Sequence, residues 1–393
     1  MPTTTTLSQA KFLQEEIVFM RRHLHANPEL SFEEHNTGKM AAERLVQHGY
    51  KVRTGIGKTG VLAQLGSGVT VAIRADMDAL PIQETNAVEY KSKKTNVMHA
   101  CGHDAHVSCV LTAAHLLSNE KPLPGRVRIL LQPSEETCDS EGKSGARRMI
   151  EDGAVDDVAA AIGLHMDASL PAGKVGIIDG AAMAAADCFK LTITGKGGHG
   201  AYPETTVDAV AIACQVVTAI QQIVSRRVSA LMPAVVTVGS FHSASTRPNV
   251  ITDQVVLLGT IRSFNPDVRR LLMDELDRTA AISRCLGGDY KLDWELGYPA
   301  TVNDPFVTEI MRKTAIDLIG EENVIAIAPK LWGEDFSMFA ELVPGAFMFL
   351  GGEIEGDRRS HHSPNFDIDE SGLYLGSAIL AETAKRLMIA LEK

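Results

Sequence analysis

Apolar positions along the chain change their period several times, and each change predicts an element. Leu13, Ile17, Met20 and Leu24 recur at helical spacing, which predicts one helix over 8–25, ended by Asn27-Pro28. A second helix is expected over 36–48, stopping at Gly49. Val69-Thr70-Val71-Ala72-Ile73 then runs as a nearly unbroken apolar strand into Arg74-Ala75-Asp76-Met77-Asp78. After Cys101-Gly102-His103, Asp104 can cap a helix whose apolar face is Val107, Val110, Leu111, Ala114 and Leu117. The run Val127-Arg128-Ile129-Leu130-Leu131 predicts a buried strand, followed by a helix near 144–151 and a strand over 158–164 that ends at His165. Strands alternating with helices call for a mostly parallel sheet covered by helices on both faces.

The pattern changes after Gly180. A strand is expected over 188–194, a helix over 206–225, strands over 234–241 and 254–262, a helix over 266–285 and a strand over 289–297. That order, β-α-β-β-α-β, is the ferredoxin-like arrangement. The first style then resumes with a helix near 304–319, a strand at 346–350 and a helix from about 371 onward. The fold class is therefore α/β, with one domain over 1–180 and 298–393 and a ferredoxin-like α+β domain inserted over 181–297. A chain of 393 residues is long enough for two such cores.

Composition narrows the function classes. A formal net charge of -11 argues against general nucleic-acid binding. Six cysteines at irregular spacing do not form a disulfide framework. Cys109 and Cys214 fall on apolar helix faces and read as core fillers. The start, Met1-Pro2-Thr3-Thr4-Thr5-Thr6, lacks the basic and apolar regions of a secretory signal, and no run approaches the roughly 18 apolar residues of a membrane span. A reduced, cytoplasmic setting without a membrane partner is expected, and it keeps Cys101 available as a thiolate.

In sheets of the expected type, ligands meet at the carboxyl ends of the strands. Asp76, Asp78, Glu135, Glu136 and His165 all fall at such ends. Two adjacent acids leaving a core strand are costly to place unless something positive meets them. In extended chain, neighbouring residues point to opposite sides, so one carboxylate could bind a metal while the other faces a substrate. The residue types alone do not say which does which. Cys101, His103, His165 and His362 add a thiolate and three imidazoles, donors that suit zinc, cobalt or nickel. With one acid, Glu136, they make five candidate ligands, more than one tetrahedral ion takes and enough for two ions sharing a bridge. His99 and His106, in the same loop, are expected to hydrogen-bond that loop. In the inserted domain, Gly195-Lys196-Gly197-Gly198-His199-Gly200 holds His199 out on a flexible backbone. Arg262 could clamp a carboxylate or form a surface ion pair.

Six segments in order carry a resemblance. They are Arg21-Arg22-His23-Leu24-His25-Ala26-Asn27-Pro28-Glu29-Leu30, Arg74-Ala75-Asp76-Met77-Asp78-Ala79-Leu80-Pro81, Met98-His99-Ala100-Cys101-Gly102-His103-Asp104, Gln132-Pro133-Ser134-Glu135-Glu136, Gly197-Gly198-His199-Gly200-Ala201 and Gly333-Glu334-Asp335-Phe336-Ser337. Together they resemble the binuclear metallo-amidohydrolases and carboxypeptidases of the aminoacylase clan, in the branch of hippurate hydrolase, bacterial N-acyl-amino-acid amidohydrolases, thermostable carboxypeptidases and plant auxin-conjugate hydrolases. The resemblance implies a catalytic domain with an inserted lid that also serves homodimer formation. It implies two divalent ions, zinc or alternatively manganese, cobalt or nickel, held by Cys101, His103, Glu136, His165 and His362. It makes Glu135 the general base, His199 the group that reaches a neighbouring subunit and stabilises the oxyanion, and Asn249 and Arg262 the holders of the substrate carboxylate. The wider clan has His-x-Asp where this chain has Asp76-x-Asp78, so Asp78 is expected to support a ligand rather than to bind metal. The activity implied is hydrolysis of the amide bond of N-acyl L-amino acids. Metallocarboxypeptidase action on short peptides, N-acetyl-diaminopimelate deacetylation and a non-catalytic metal-binding role are the alternatives.

Overall fold

The structure, a computed structural model, describes residues 3–392. The chain divides into two compact units, one built from 1–180, 302–328 and 335–393 and the other from 181–301 and 329–334.

The first unit is built on an eight-stranded sheet. Its order across the sheet is Lys51–Ile56, Gly60–Gly66, Arg126–Gln132, Thr70–Asp76, Val158–Pro171, Gly345–Glu353, Val175–Ile177 and Val324–Ile325. The four central strands, from Arg126–Gln132 to Gly345–Glu353, are mutually parallel, and antiparallel strands extend the sheet beyond them. Thr70–Asp76 is buried at every position, so Arg74 and Asp76 are charges inside a core strand. The helix His103–Ser118 is buried on nearly every side, which fits its apolar composition. It packs against the long helix Leu373–Leu391 and the sheet, in a core that includes Ile73, Val110, Leu164, Met348 and Leu380.

Several expectations need correction. The helix expected over 8–25 is two helices, Thr3–Phe12 and Gln14–Ala26. At the break, the Leu13 N–H is shared between the Gln9 and Ala10 carbonyls at 3.2 and 3.1 Å, a tightened turn that leaves both Ala10 and Ile17 in the core. The strand ending at His165 instead continues to Pro171, because Met166 and Ala168 are also buried and Gly345–Glu353 pairs along it. Asp104 does not cap its helix. The cap is Gly102, with φ 95°, and Asp104 lies fully buried in the first turn.

The second unit is a two-layer α+β fold. Its sheet runs Ala234–Ser243, Gln254–Ser263, Ala185–Thr194, Asp289–Glu295, antiparallel throughout, which is the ferredoxin-like order. Helices Ala209–Gln222 and Pro266–Ala280 close its core of Leu191, Ile193, Val216, Leu257, Leu272 and Leu276. Each helix starts on a side-chain cap, Asp208 or Asn265. Two expectations fail here. Cys214 is exposed, because Ile212, Ala213, Val216 and Ile220 form the buried face and Cys214 points away from it. The stretch Ala209–Arg227 is long and apolar enough to cross a membrane by length and composition, although it lies as a surface helix of this small core.

The unit boundary also moves. The segment 329–334, expected in the first domain, belongs with the inserted unit, where Lys330 bridges Met183 and its carbonyl accepts the Ala184 N–H at 3.0 Å.

Candidate metal centre

The structure brings all five candidate ligands together around Cys101. Cys101 Sγ lies 3.5 Å from His165 Nε2. Glu136 Oε1 lies 3.2 Å from His362 Nε2 and 3.8 Å from His103 Nε2. Two triads share the thiol: Cys101, His103 and His165 form one, and Cys101, Glu136 and His362 the other, with ligand atoms within 4.8 Å of one another in each. A tetrahedral ion with bonds of about 2.0–2.3 Å needs its ligands roughly 3.3–3.8 Å apart. The spacings within the triads, 3.5 Å for Cys101–His165 and 3.2 Å for Glu136–His362, lie close to that range.

Orphaned polar atoms point the same way. His103 Nε2 and Glu136 Oε1 are buried with no hydrogen-bond partner. Leaving such atoms bare is costly, and a cation between them removes the cost. The histidines are also set in the ligating tautomer. His103 Nδ1 donates to the Asp78 carbonyl at 2.8 Å and His165 Nδ1 to the Met166 carbonyl at 2.6 Å. Each ring therefore turns its Nε2 toward the cluster, where an ion would take the place of any proton there. In the metal-free site burial alone would lower His103, but Asp76, Asp78 and Cys101 outweigh it and raise it well above its ordinary value.

Charge in the pocket is unevenly held. Burial pushes the Cys101 thiol up, and Glu136 adds to this. Cys101 and then Glu136, whose Oε1 lies 3.2 Å from its Nε2, raise His362 to about 10. Burial, with His106 and His361 nearby, pulls His165 well below its usual value. Without cations the site keeps a proton on His362, and ions entering must displace it.

Glu135 and Glu136 do not point to opposite sides. The chain bends at 135–136, after Ser134 takes φ 44°, so Glu135 and Glu136 both place an oxygen near His103. Extended geometry, the basis of the earlier expectation, ends at Gln132. Glu135 is buried at 7% exposure, beside the ligand set rather than in solvent.

Asp78 supports this bend directly. Its carboxylate accepts the Glu135 N–H at 3.1 Å, the Glu136 N–H at 3.0 Å and the Ser31 hydroxyl at 2.6 Å, and lies 3.3 Å from His103 Nδ1. Asp76 has a different task. It accepts from His106 Nδ1 at 2.6 Å and from Arg74 at 2.8 Å, while His106 Nε2 accepts the Met166 N–H at 2.8 Å. His106 thus ties the end of one strand to the residue after His165. Arg74 also bonds Asp335 at 2.9 Å and Gln132 at 2.8 Å. His99 is buried with no hydrogen-bond partner at either ring nitrogen, so it does not bond the loop as expected.

A second buried array lies behind the first turn of the His103 helix. Arg21, fully buried, pairs with Asp104 at 2.9 Å, Asp367 at 2.9 Å and Glu370 at 3.1 Å. His25 Nδ1 shares Asp104 at 2.7 Å. The sequence places Asp76 at a strand end beside the expected site, but gives no role to Arg74, His106, Arg21 or Asp104 in these arrays. Arg74 and Asp76 in an otherwise apolar strand were the available signal for the first.

A family model described as Peptidase family M20/M25/M40 matches residues 72–386. The chain belongs to that family. The chain is 41% identical to an N-acetyl-L-cysteine deacetylase of Bacillus subtilis, covering 96% of this chain and 89% of that one. It is 39% identical to thermostable carboxypeptidase 2 of Saccharolobus solfataricus, covering 94% and 95%. Among solved structures it resembles a dinuclear metal-binding peptidase of the M20 family from Bacillus subtilis, with a TM-score of 0.84 and 32% identity over 96% of this chain and 99% of that one. This M20 chain is thus a hydrolase of the amidohydrolase and peptidase type, from a group of dinuclear metal enzymes.

In the inserted unit of the M20 hydrolase, His199 and Asn249 line one cleft of about 620 Å³ together with Gly197, Ser245 and Asp253. The short strand carrying His199 pairs with Val250–Ile251, and the Gly200 N–H bonds the Asn249 carbonyl at 2.9 Å. Arg262 does not line that cleft. Its guanidinium bonds the Thr260 hydroxyl and, at 2.9 Å, the Ile261 carbonyl.

Proposed function

We propose that this M20 hydrolase cleaves the amide bond of N-acyl L-amino acids, releasing a carboxylic acid and the free amino acid. The observation that carries the reading is the acid left over. Five donors satisfy two triads, and Glu135 remains beside them, buried and not needed as a ligand. A protein that only stored metal would gain nothing from placing a second carboxylate there.

Cys101, His103, Glu136, His165 and His362 would hold two divalent ions, which when bound would supply Lewis acidity and lower the pKa of water. Glu135 takes the proton of the attacking water and returns it to the leaving amine. Asp78, by holding the amides of 135 and 136, keeps that carboxylate aimed. His199, through a neighbouring subunit, stabilises the oxyanion, and Asn249 and Arg262 receive the substrate carboxylate. Homodimer formation through the inserted unit is part of this reading. It is supported by exposed Leu231, Met232 and Phe241, near and on the outer strand Ala234–Ser243.

A panel of N-acyl amino acids and N-blocked dipeptides, assayed with zinc, manganese, cobalt or nickel restored after chelation, tests the reading. Small N-acyl amino acids should be cleaved fastest, and Glu135→Gln should abolish turnover while metal content stays near two. Preference for blocked dipeptides would favour the carboxypeptidase alternative, to which one relative's name points. Substantial activity in Glu135→Gln would remove Glu135 as the base.

A further inference from the structure

Glu34 is a fully buried carboxylate with no place in the chemistry so far. It lies just before the helix His35–Gln47, 100 positions upstream of the residue it holds. Its Oε1 accepts the Ser134 N–H at 2.8 Å and the Phe32 N–H at 2.9 Å, and its Oε2 accepts the Thr59 hydroxyl.

The backbone around it is unusual. Six non-glycine residues among those described have positive φ, and three of them surround Glu34. Phe32 has φ 61°, Ser134 has φ 44°, and Lys58, next to Thr59, has φ 83° and places its ammonium 4.3 Å over the Phe32 ring. Side chains other than glycine avoid this region, and persist there only where surroundings over-determine them. Two of the three strained residues donate their amides to one Glu34 oxygen, and the neighbour of the third donates its hydroxyl to the other.

The strain has a consequence at the catalytic turn. Three successive amides, at 134, 135 and 136, end on two buried carboxylates: Glu34 takes the first and Asp78 the next two. Pro133 is boxed in just before them. A Cβ on Gly145 would sit 1.6 Å from the Pro133 carbonyl oxygen, and one on Gly60 would sit 2.8 Å from its ring. The strand end is therefore closely packed by backbone at 60 and 145, and the left-handed step at Ser134 is what turns Glu135 and Glu136 toward the same cluster.

We propose that Glu34 is a positioning residue for the reaction, holding Ser134 in its left-handed conformation so that Glu135 and Glu136 face the metal centre together. The inference rests on the reading of Glu135 as the base. The test therefore includes a measurement that does not depend on that role. Amide hydrogen exchange of the segment 132–138 is followed in the metal-free protein for wild type, Glu34→Ala, Glu34→Gln and the double variant Glu34→Ala/Ser134→Gly, and kcat and KM are measured with metal restored.

Glu34→Ala should exchange faster at 134–136 and lose kcat by about 100-fold, the scale of an ångström misplacement of a catalytic group, with little change in KM. Glu34→Gln keeps an acceptor for both amides and should recover most of both losses. Ser134→Gly removes the steric objection to positive φ and should partly rescue Glu34→Ala, which a merely structural role for Glu34 would not allow. Should Glu34→Ala fail to fold, the other two variants decide. The proposal is overturned if exchange and kcat in Glu34→Ala match wild type, if Glu34→Gln falls as far as Glu34→Ala, or if Ser134→Gly rescues nothing. Activity in Glu135→Gln, alongside a turn that still loosens without Glu34, would instead count against the base assignment alone.

Discussion

Arg21→Met is the most informative single perturbation of the catalytic unit. Arg21 is 0% exposed and meets three carboxylates, but these do not depend on it equally. Glu370 also pairs with Arg22 at 2.6 Å, and Asp367 accepts from Tyr90 at 2.8 Å and lies 3.7 Å from Arg359. Asp104, 0% exposed, would be left with His25 at 2.7 Å and the Ala105 N–H at 3.0 Å, and with no permanent positive charge. The methionine fills most of the volume, so the cost is chiefly one stranded buried charge, about 3–5 kcal/mol. For a unit of this size, with an unfolding entropy of about 2 cal/mol/K per residue, that corresponds to a melting temperature lower by roughly 5–9 °C.

The pH dependence carries a definite sign. Burial alone would raise the Asp104 carboxyl, but Arg21 and then His25 hold it well below its ordinary value of 3.8. A carboxylate depressed in the folded state adds stability that is complete above its unfolded value and is lost as pH falls below it. The gap between wild type and Arg21→Met should therefore be widest at neutral pH and narrow toward acid. Scanning calorimetry across that range measures it. The double variant Arg21→Met/Asp104→Asn should recover part of the loss, with a coupling of at least about 1 kcal/mol. A melting point within about 2 °C of wild type at neutral pH would refute the reasoning, because Asp104 could not then be charged and dependent on Arg21.

Other outcomes follow from the same contacts. Gly145→Ala forces a Cβ against the Pro133 carbonyl and should destabilise the protein by more than about 3 kcal/mol and abolish turnover, checked by thermal melting and hydrolysis assays. Metal uptake by the chelated protein should release protons and tighten as pH rises, because His362, raised to about 10, must give up its proton to ligate; calorimetric titration in buffers of different ionisation enthalpy counts the protons. Asp76→Asn weakens the tie from Arg74 through His106 to Met166 and should lower metal affinity by roughly 10–100-fold, measured by competition with a chromogenic chelator.

How much of this could be read in advance depends on how far apart the partners lie. Strands such as Thr70–Asp76 and Arg126–Gln132 are long apolar runs, and their burial follows from local composition. The ligands were legible because thiol, imidazole and carboxylate are the residue types that bind metal, gathered at strand ends and in loops. Their supports carry no such mark. Arg21 and Asp104 are 83 positions apart, Ser134 and Glu34 are 100 apart, and Arg74 and Asp335 are 261 apart. A buried acid in a loop looks like a solvated one until the chain closes over it, and only then does burial oblige it to find a donor. The bend that turns Glu135 and Glu136 to one side is the clearest case. Alternation along a strand placed them on opposite sides, and that rule holds only while the backbone stays extended. What ends it is a left-handed residue that composition disfavours, held by Glu34 from the far end of another segment. The chemistry of the site is therefore written locally in its ligands, whereas its aim is set by contacts that exist only in the folded chain.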